Sequence, residues 1–558
     1  MKEFINEHRR IVNFVLILIV GLYLCIPLFN KNLNVYVDDG IQHIARAYGT
    51  EEALKTTFMG NVIPSFSNGY GYSWNLFYGP LTTYGLMFIG IITKNYVVAY
   101  KIFAFIILIG SGLAMHKFLY TYSKNADTAA LGAIIYMAFP YHMTDLYIRN
   151  ALGEYISFLF IPMVFTGLYN LFYTEDKTYH LSIGAIGLIL SHNLSTIMVA
   201  IFSVFYCILN LGKFKNKTVI KKLFINVIAI LLITAFFWMP FIETKYSIKY
   251  QVYQDNMMGT IESVKEAGLK ISQLFVSKAN AFVFELGIHI WIMFSLVIMG
   301  YNLIRSDLKE NYLFFIVSAL LSLWASTRYF PWGILPKECS YIQFPWRFMM
   351  MAAFFISCVA AMNMSLIIKQ FRLLDVLIIT VITVGYITAF YPYINYSQDL
   401  KSIQDYELGF ISGREIEVVA GGGKSEYLPV NAYNNRFYIA TREDGAFVTS
   451  GKALIEDVKK DGSNYSFRVE TYDEDAIIEL PFLYYPGYRV TIDGIQIRYY
   501  QNDNGFMKIG ITKGQKGTIE VSYPGTKIMK VSLFISTVSL IGFSVYLWKK
   551  RKPENLEK

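Results

Sequence analysis

The chain has 558 residues, of which 54% are hydrophobic and only 16% charged, with a mean hydropathy of +0.38. Soluble domains carry about 25% charged residues, so this composition excludes a cytosolic enzyme and a disordered chain and predicts a polytopic membrane protein. The net charge of +9 does not point to nucleic acid. Its basic residues cluster in short loops between apolar runs, the pattern that orients helices in a bilayer.

In chain order, a charged start (Lys2, Glu3, Arg9, Arg10) precedes an apolar run from Ile11 to Phe29. That run is long enough to span and lacks a small-residue cleavage site, so it reads as a retained first helix with a cytoplasmic N-terminus. Further spans are expected near 97–115, 128–140, 156–173, 180–191, 194–211, 222–241, 287–304, 311–327, 347–368, 373–391 and 528–548. The intervening loops alternate in charge: 116–124, 175–180, 213–222, 305–310, 369–372 and 549–552 fall on one side, most with Lys or Arg. The alternation closes only if Leu81 to Ile92 does not cross, as a re-entrant or interfacial helix, or if a short window is misread. The expected fold is an α-helical polytopic membrane protein of about 12 helices, multi-pass in the bacterial plasma membrane, with both termini cytoplasmic.

Residues 392–527 change character. Alternating runs (Tyr465 to Glu470, Ala476 to Leu480, Tyr488 to Ile492, Gly517 to Tyr523) are separated by Asp461-Gly462, Asp493-Gly494 and Asn504-Gly505, the hairpin signal. They predict an extracytoplasmic β-sandwich-like domain, structural or acceptor-binding. The expected division is therefore a transmembrane module over 1–391, the β domain over 392–527, and a final helix with basic tail over 528–558.

Chemistry concentrates in the loops assigned to the outside. Asp38-Asp39 follows the first helix. Adjacent carboxylates repel unless they share a proton or a cation, so the pair reads either as a general base with a divalent-cation ligand or as a solvated cap of the next helix. The stretch Asn75 to Pro80, including Tyr78, interleaves aromatic rings with Gly and Pro and makes a stacking surface. The loop 141–155 carries His142, Asp145, Arg149 and Glu154. Helical spacing aligns Asp145 with Arg149, whose fork suits a phosphate or an ion pair with either acid. Ser191-His192-Asn193 sits between two apolar segments, where its polar groups need partners. Arg328 and Arg347, each beside Pro and Trp, read as docks for a lipid phosphate or as snorkelling anchors. Cys25, Cys207 and Cys358 lie in apolar runs and Cys339 stands apart, which argues against a disulfide or metal framework. Walker A, His-Glu-x-x-His and nucleophile-elbow motifs are absent. The glycine run 421–423 lacks the setting of a nucleotide site.

Asp38-Asp39-Gly40, Asn75 to Pro80, Tyr147 to Glu154, Ser191 to Asn193, Gln343 to Arg347, and Tyr484 to Tyr488 with Asp493-Gly494 together resemble YfhO-type bacterial membrane proteins, which are similar to GT-C glycosyltransferases. The resemblance implies transfer of a sugar from a polyprenyl-phosphate donor to an acceptor on the extracytoplasmic face. It implies an acidic base in the first external loop, hence Asp38 or Asp39, with Asp38 preferred as the first of the pair. On that reading Arg149, His192, Arg347 and Arg328 bind the donor phosphate, while Tyr78, His142, Asp145, Glu154 and Asn193 line the substrate. Cell-envelope polysaccharide or a teichoic-acid-like polymer is the expected acceptor, membrane lipids are the further partners, and a divalent cation held by Asp38 and Asp39 is the one cofactor considered. Rival readings are a transporter or flippase of a lipid-linked glycan and a non-catalytic accessory protein.

Overall fold

The computed structural model describes residues 8–551, apart from 32, 34, 36–38, 175, 255–256, 275–311, 368–372, 389–424 and 473. The expected span at 287–304, the glycines 421–423 and Asp38 lie outside the described residues. The molecule is mostly helical, with a β-sheet region towards the C-terminus, and divides into two compact units. The first comprises Met1–Gly40, Tyr100–Ile230 and Met258–Gln398; the second comprises Ile41–Ala99, Leu231–Met257 and Asp399–Lys558.

Among the described residues, apolar runs become helices as expected. Four, Tyr96–Ser123, Leu152–Thr174, Pro345–Met364 and Lys527–Lys549, are long and apolar enough to cross a membrane among the described residues. Lys217–Ile233 and Ala235–Ser247 pass that test only together and are bent by 63°. The remaining apolar helices are shorter, including Ile11–Leu24, Ala126–Met137, His180–Ser191, Asn193–Leu209 and Tyr312–Ala325. Pro80–Thr93 has 14 residues, about 21 Å of helix against a hydrocarbon core of about 30 Å, too short for an upright crossing.

In the first unit, Asn125 caps the helix Ala126–Met137 by accepting from the amides of Asp127 and Thr128. The cap brings Asp127 to Arg9, which donates from Nε at 2.9 Å and from Nη2 at 2.6 Å. Asn13 adds a bond to the Ala126 carbonyl at 2.8 Å. The N-terminal helix is thereby pinned by a forked ion pair as well as by apolar contact. Within Leu152–Tyr169, Pro162 has no N–H to give the Phe158 carbonyl, and the Tyr136 hydroxyl supplies it at 2.8 Å. Glycines bring this helix against His180–Ser191: a Cβ on Gly167 would lie 2.1 Å from the Leu181 amide nitrogen, and one on Gly184 2.6 Å from that of Val164. Small residues allow the backbones this approach, the usual means of helix association where lipid removes the hydrophobic drive.

The second unit holds two antiparallel sheets formed by β1 (Phe447–Ser450), β2 (Ala453–Asp461), β3 (Asn464–Thr471), β4 (Ala476–Leu483), β5 (Arg489–Ile492), β6 (Ile495–Ile497), β7 (Tyr499–Gln501), β8 (Phe506–Ile511) and β9 (Lys516–Ser522). Their orders are β1-β4-β8-β7 and β2-β3-β9-β5-β6. Alternating burial along β3 turns Tyr465, Phe467 and Val469 inward, where Tyr465 meets Phe482 of the other sheet edge-on at 5.9 Å. Asp493 and Gly494 both take positive φ, 47° and 79°, between the paired Ile492 and Ile495. That backbone is the two-residue hairpin turn the dipeptide predicts. Buried Arg442 is held in the same unit by Glu479 at 2.7 Å. The helix Lys527–Arg551 packs against Ala235–Ser247, tied by the Phe236 amide to Ser536 Oγ at 2.9 Å.

Candidate functional site

A buried polar cluster forms in the first unit where the short helix Pro140–Tyr147 gives way to Leu152–Tyr169. Pro140 opens the short helix at a position that needs no amide proton. Asn150, at φ 47°, turns the chain through the left-handed region before the next helix starts. Arg149 is thus bracketed by the acid four residues before it and the acid five residues after. Its Nη1 donates to Asp145 Oδ1 at 2.6 Å, to Glu154 Oε2 at 2.9 Å and to the Tyr141 hydroxyl oxygen at 3.0 Å. Tyr141 in turn donates to Glu154 Oε1. The indole of Trp346 lies against the guanidinium, 4.5 Å from Cζ to the ring centre. All four polar side chains are buried.

Arg347 joins from a distant segment. The turn Pro345–Phe348 sets its Nε 3.5 Å from Glu154 Oε2, while its Nη1 donates to the Ile342 carbonyl at 2.7 Å and to Gln343 Oε1 at 3.1 Å. Glu154 therefore faces two guanidinium groups. His192 caps the helix Asn193–Leu209, with Nδ1 2.7 Å from Ser195 Oγ. Burial draws its pKa down to about 4, against the pull of Glu154, so the imidazole is neutral near pH 7. His142 stacks on Phe158 at 3.9 Å and bonds the Tyr136 carbonyl through Nδ1 at 3.1 Å. Its Nε2 and Asp145 Oδ2 are buried without a hydrogen-bond partner among the described residues. Burial, followed by the charge of Glu154, pushes the Asp145 carboxyl well above the usual carboxylate range despite Arg149.

Asp39 reaches this cluster through its backbone. Its amide donates to the Arg149 carbonyl at 3.0 Å, and its side chain is half-buried. Gly40 makes the approach possible, because a Cβ there would sit 2.0 Å from the Val35 carbonyl oxygen and 2.9 Å from Asn150 Cβ. Tyr100 closes the same turn by donating to Asn150 Oδ1 at 3.1 Å.

The structure thus groups Asp39, His142, Asp145, Arg149, Glu154, His192 and Arg347 in one unit, around a core in which Arg149 and Glu154 are central. Arg149 contacts both acids, Asp145 at 2.6 Å and Glu154 at 2.9 Å. Asn193 is exposed at the start of its helix. Arg328 bonds elsewhere: its fork holds the carbonyls of Gly268 at 3.2 Å and Glu266 at 3.0 Å, beside the bridge between Leu269 and Thr327. Tyr78 belongs to the second unit, where its ring lies 4.5 Å from Cζ of Arg46. Sequence reasoning missed the structural parts played by Tyr141, Trp346, Ser195 and Arg46. Tyr141 and Trp346 adjoin residues singled out for their charge, and Arg46 follows Gln42 by one helical turn, a weak signal at best. Among the described residues no three His, Cys, Asp or Glu side chains are grouped to hold a metal. The cation reading rests on a doublet of which only Asp39 is described.

A family model described as a 6-pyruvoyl-tetrahydropterin synthase related domain, membrane protein, matches residues 76–393. That stretch contains Asp145, Arg149, Glu154, His192 and Arg347 and covers more than half of the chain. An uncharacterized protein of Lactococcus lactis subsp. cremoris (strain MG1363) is 29% identical over 253 residues, covering 43% of this chain and 41% of the relative. The alignment to that relative therefore spans less than half of its length. The chain belongs to the matched family, and it is a membrane protein.

Proposed function

We propose that this member of the 6-pyruvoyl-tetrahydropterin synthase related membrane-protein family is a glycosyltransferase of the GT-C kind. It moves a sugar from a polyprenyl-phosphate donor to a cell-envelope acceptor on the extracytoplasmic face of the plasma membrane, with both termini in the cytoplasm. The observation that carries the reading is the 3.0 Å bond from the Asp39 amide to the Arg149 carbonyl. It brings the backbone of Asp39, the described member of the first loop's acidic doublet, to a buried cluster of guanidinium groups.

In this reaction a carboxylate of the doublet takes the proton of an acceptor hydroxyl. The acceptor oxygen forms its bond to the anomeric carbon as the bond from that carbon to the phosphate oxygen breaks, so configuration inverts. The electron pair leaves with the phosphate, which departs as an anion and needs no second acid. Arg149 and Arg347 stabilise its charge in a site from which water is largely excluded. Two guanidiniums and two carboxylates would cancel. Burial favours the protonated form of Asp145, however, which leaves more of the Arg149 charge for the departing group. Neutral His192 contributes a hydrogen-bonding group and no charge.

The test is to reconstitute the full-length protein in vesicles and supply a polyprenyl-phosphate sugar with a polyol-phosphate acceptor. Transfer of the sugar to the acceptor with release of polyprenyl phosphate is expected. Movement of the intact lipid across the bilayer without transfer would instead make the protein a transporter. Neither outcome would leave an accessory protein.

A further inference from the structure

Four arginines are deeply buried among the described residues: Arg46, Arg149, Arg347 and Arg442. Three face a carboxylate, Arg149 with Asp145 and Glu154, Arg347 with Glu154, and Arg442 with Glu479. Arg46 is 1% exposed and has no acidic partner among the described residues. Its Nε donates to Thr83 Oγ1 and its Nη2 to the Gly79 carbonyl at 2.9 Å, both neutral acceptors, and Nη1 makes no hydrogen bond among the described residues. Rings surround it: Tyr78 at 4.5 Å and Trp74 at 5.8 Å from Cζ, with Tyr427 stacked on neighbouring Phe77 at 4.8 Å. Burial lowers its pKa only to about 10, so the group is a cation at neutral pH. Ring faces attract a cation, but they return less than the cost of taking an unpaired charge out of water. An unpaired buried cation therefore points to a functional site, at which a counter-charge from outside would offset that cost.

We propose that Arg46, with Tyr78 and Trp74, forms a binding site for a phosphate group. The guanidinium is already oriented by Thr83 and Gly79, and its Nη1 edge is the one left for an oxyanion. The ring of Tyr78 lies against the guanidinium, 4.5 Å from Cζ, and supplies one wall of the site. Tyr78 is only half-buried above a fully buried arginine, so the site has an open edge. Every residue involved belongs to the second unit. The assignment concerns binding alone and holds whether or not the protein transfers sugar.

The experiment titrates the purified full chain in detergent with inorganic phosphate and, separately, with a polyprenyl phosphate, in the native protein and in Arg46→Lys and Arg46→Met. Saturable binding of at least one probe is expected, and the probe that binds identifies a free or a lipid-borne phosphate. Arg46→Lys, which keeps the charge and loses the fork, should weaken it roughly 10-fold, and Arg46→Met roughly 100-fold or more. Arg46→Met should also unfold at the same temperature as the native protein or higher in the absence of probe, because it removes an unpaired buried charge. Failure of both probes to saturate overturns the proposal, as does native affinity in Arg46→Met. Should Arg46→Met not fold, native affinity in Arg46→Lys overturns it equally.

Discussion

One nitrogen of Arg149, Nη1, holds two carboxylates, Asp145 at 2.6 Å and Glu154 at 2.9 Å. Both acids are buried, so removing the cation leaves Glu154 to Arg347 alone and takes away the donor that Asp145 Oδ1 accepts from. Arg149→Met is expected to cost about 3–5 kcal/mol, seen as a large fall in the unfolding temperature in detergent. Arg149→Lys keeps the charge but not the fork and should recover only part of the loss. Unchanged stability in Arg149→Met would show that the cluster does not hold this turn.

Arg347 and Arg328 separate by role. Arg347 lies against Glu154, whereas Arg328 holds the carbonyls of Gly268 and Glu266. Arg347→Gln should lower turnover of the lipid-linked donor by about 100-fold or more, as loss of a charged stabiliser does. Arg328→Gln should leave turnover within about twofold, because a half-exposed fork on neutral acceptors carries little of the site's charge. Equal losses in the two variants would contradict the geometry.

His192 gives a pH dependence with a defined sign. Its folded pKa of about 4 lies below the unfolded value of about 6.5. Between the two the unfolded chain binds the extra proton, so stability is complete above about pH 6.5 and falls as pH drops towards 4. The contribution is on the order of 3 kcal/mol at most. Unfolding curves of the native protein and His192→Gln should converge in that window and keep a constant separation above it. A constant separation throughout would remove the assignment.

Gly167→Ala tests the close contact between Leu152–Tyr169 and His180–Ser191. The new methyl would meet the Leu181 backbone at 2.1 Å, which no side-chain rotation relieves. A loss of about 1–3 kcal/mol is expected, with Gly212→Ala, where a Cβ meets nothing within 4 Å, as the neutral control.

Much of this molecule is legible in its sequence because lipid and hairpins impose short-range rules. Apolar length marked the apolar helices described between Ile11 and Thr388, and Asp493-Gly494 marked a turn whose positive φ values only certain residues adopt readily. The bend after Ile233 was not legible: the run from Val227 to Phe241 is apolar but for Thr234, and hydropathy says nothing of where a helix breaks. In the cluster, the Asp145–Arg149 pair could be read from spacing of four. Glu154 with Arg347 could not, since they are far apart in the chain and only the fold brings them together. Arg46 was missed for a related reason, because a lone arginine in an amphipathic helix looks solvated until the rings around it are placed.

The most direct test of the account is to replace Asp38 and Asp39 separately with Asn and measure release of polyprenyl phosphate from the lipid-linked sugar. Each variant is compared at matched expression and unfolding temperature. Loss of about 100- to 10,000-fold in at least one variant is the predicted result, the range a positioned general base supplies. Full activity in both would contradict it.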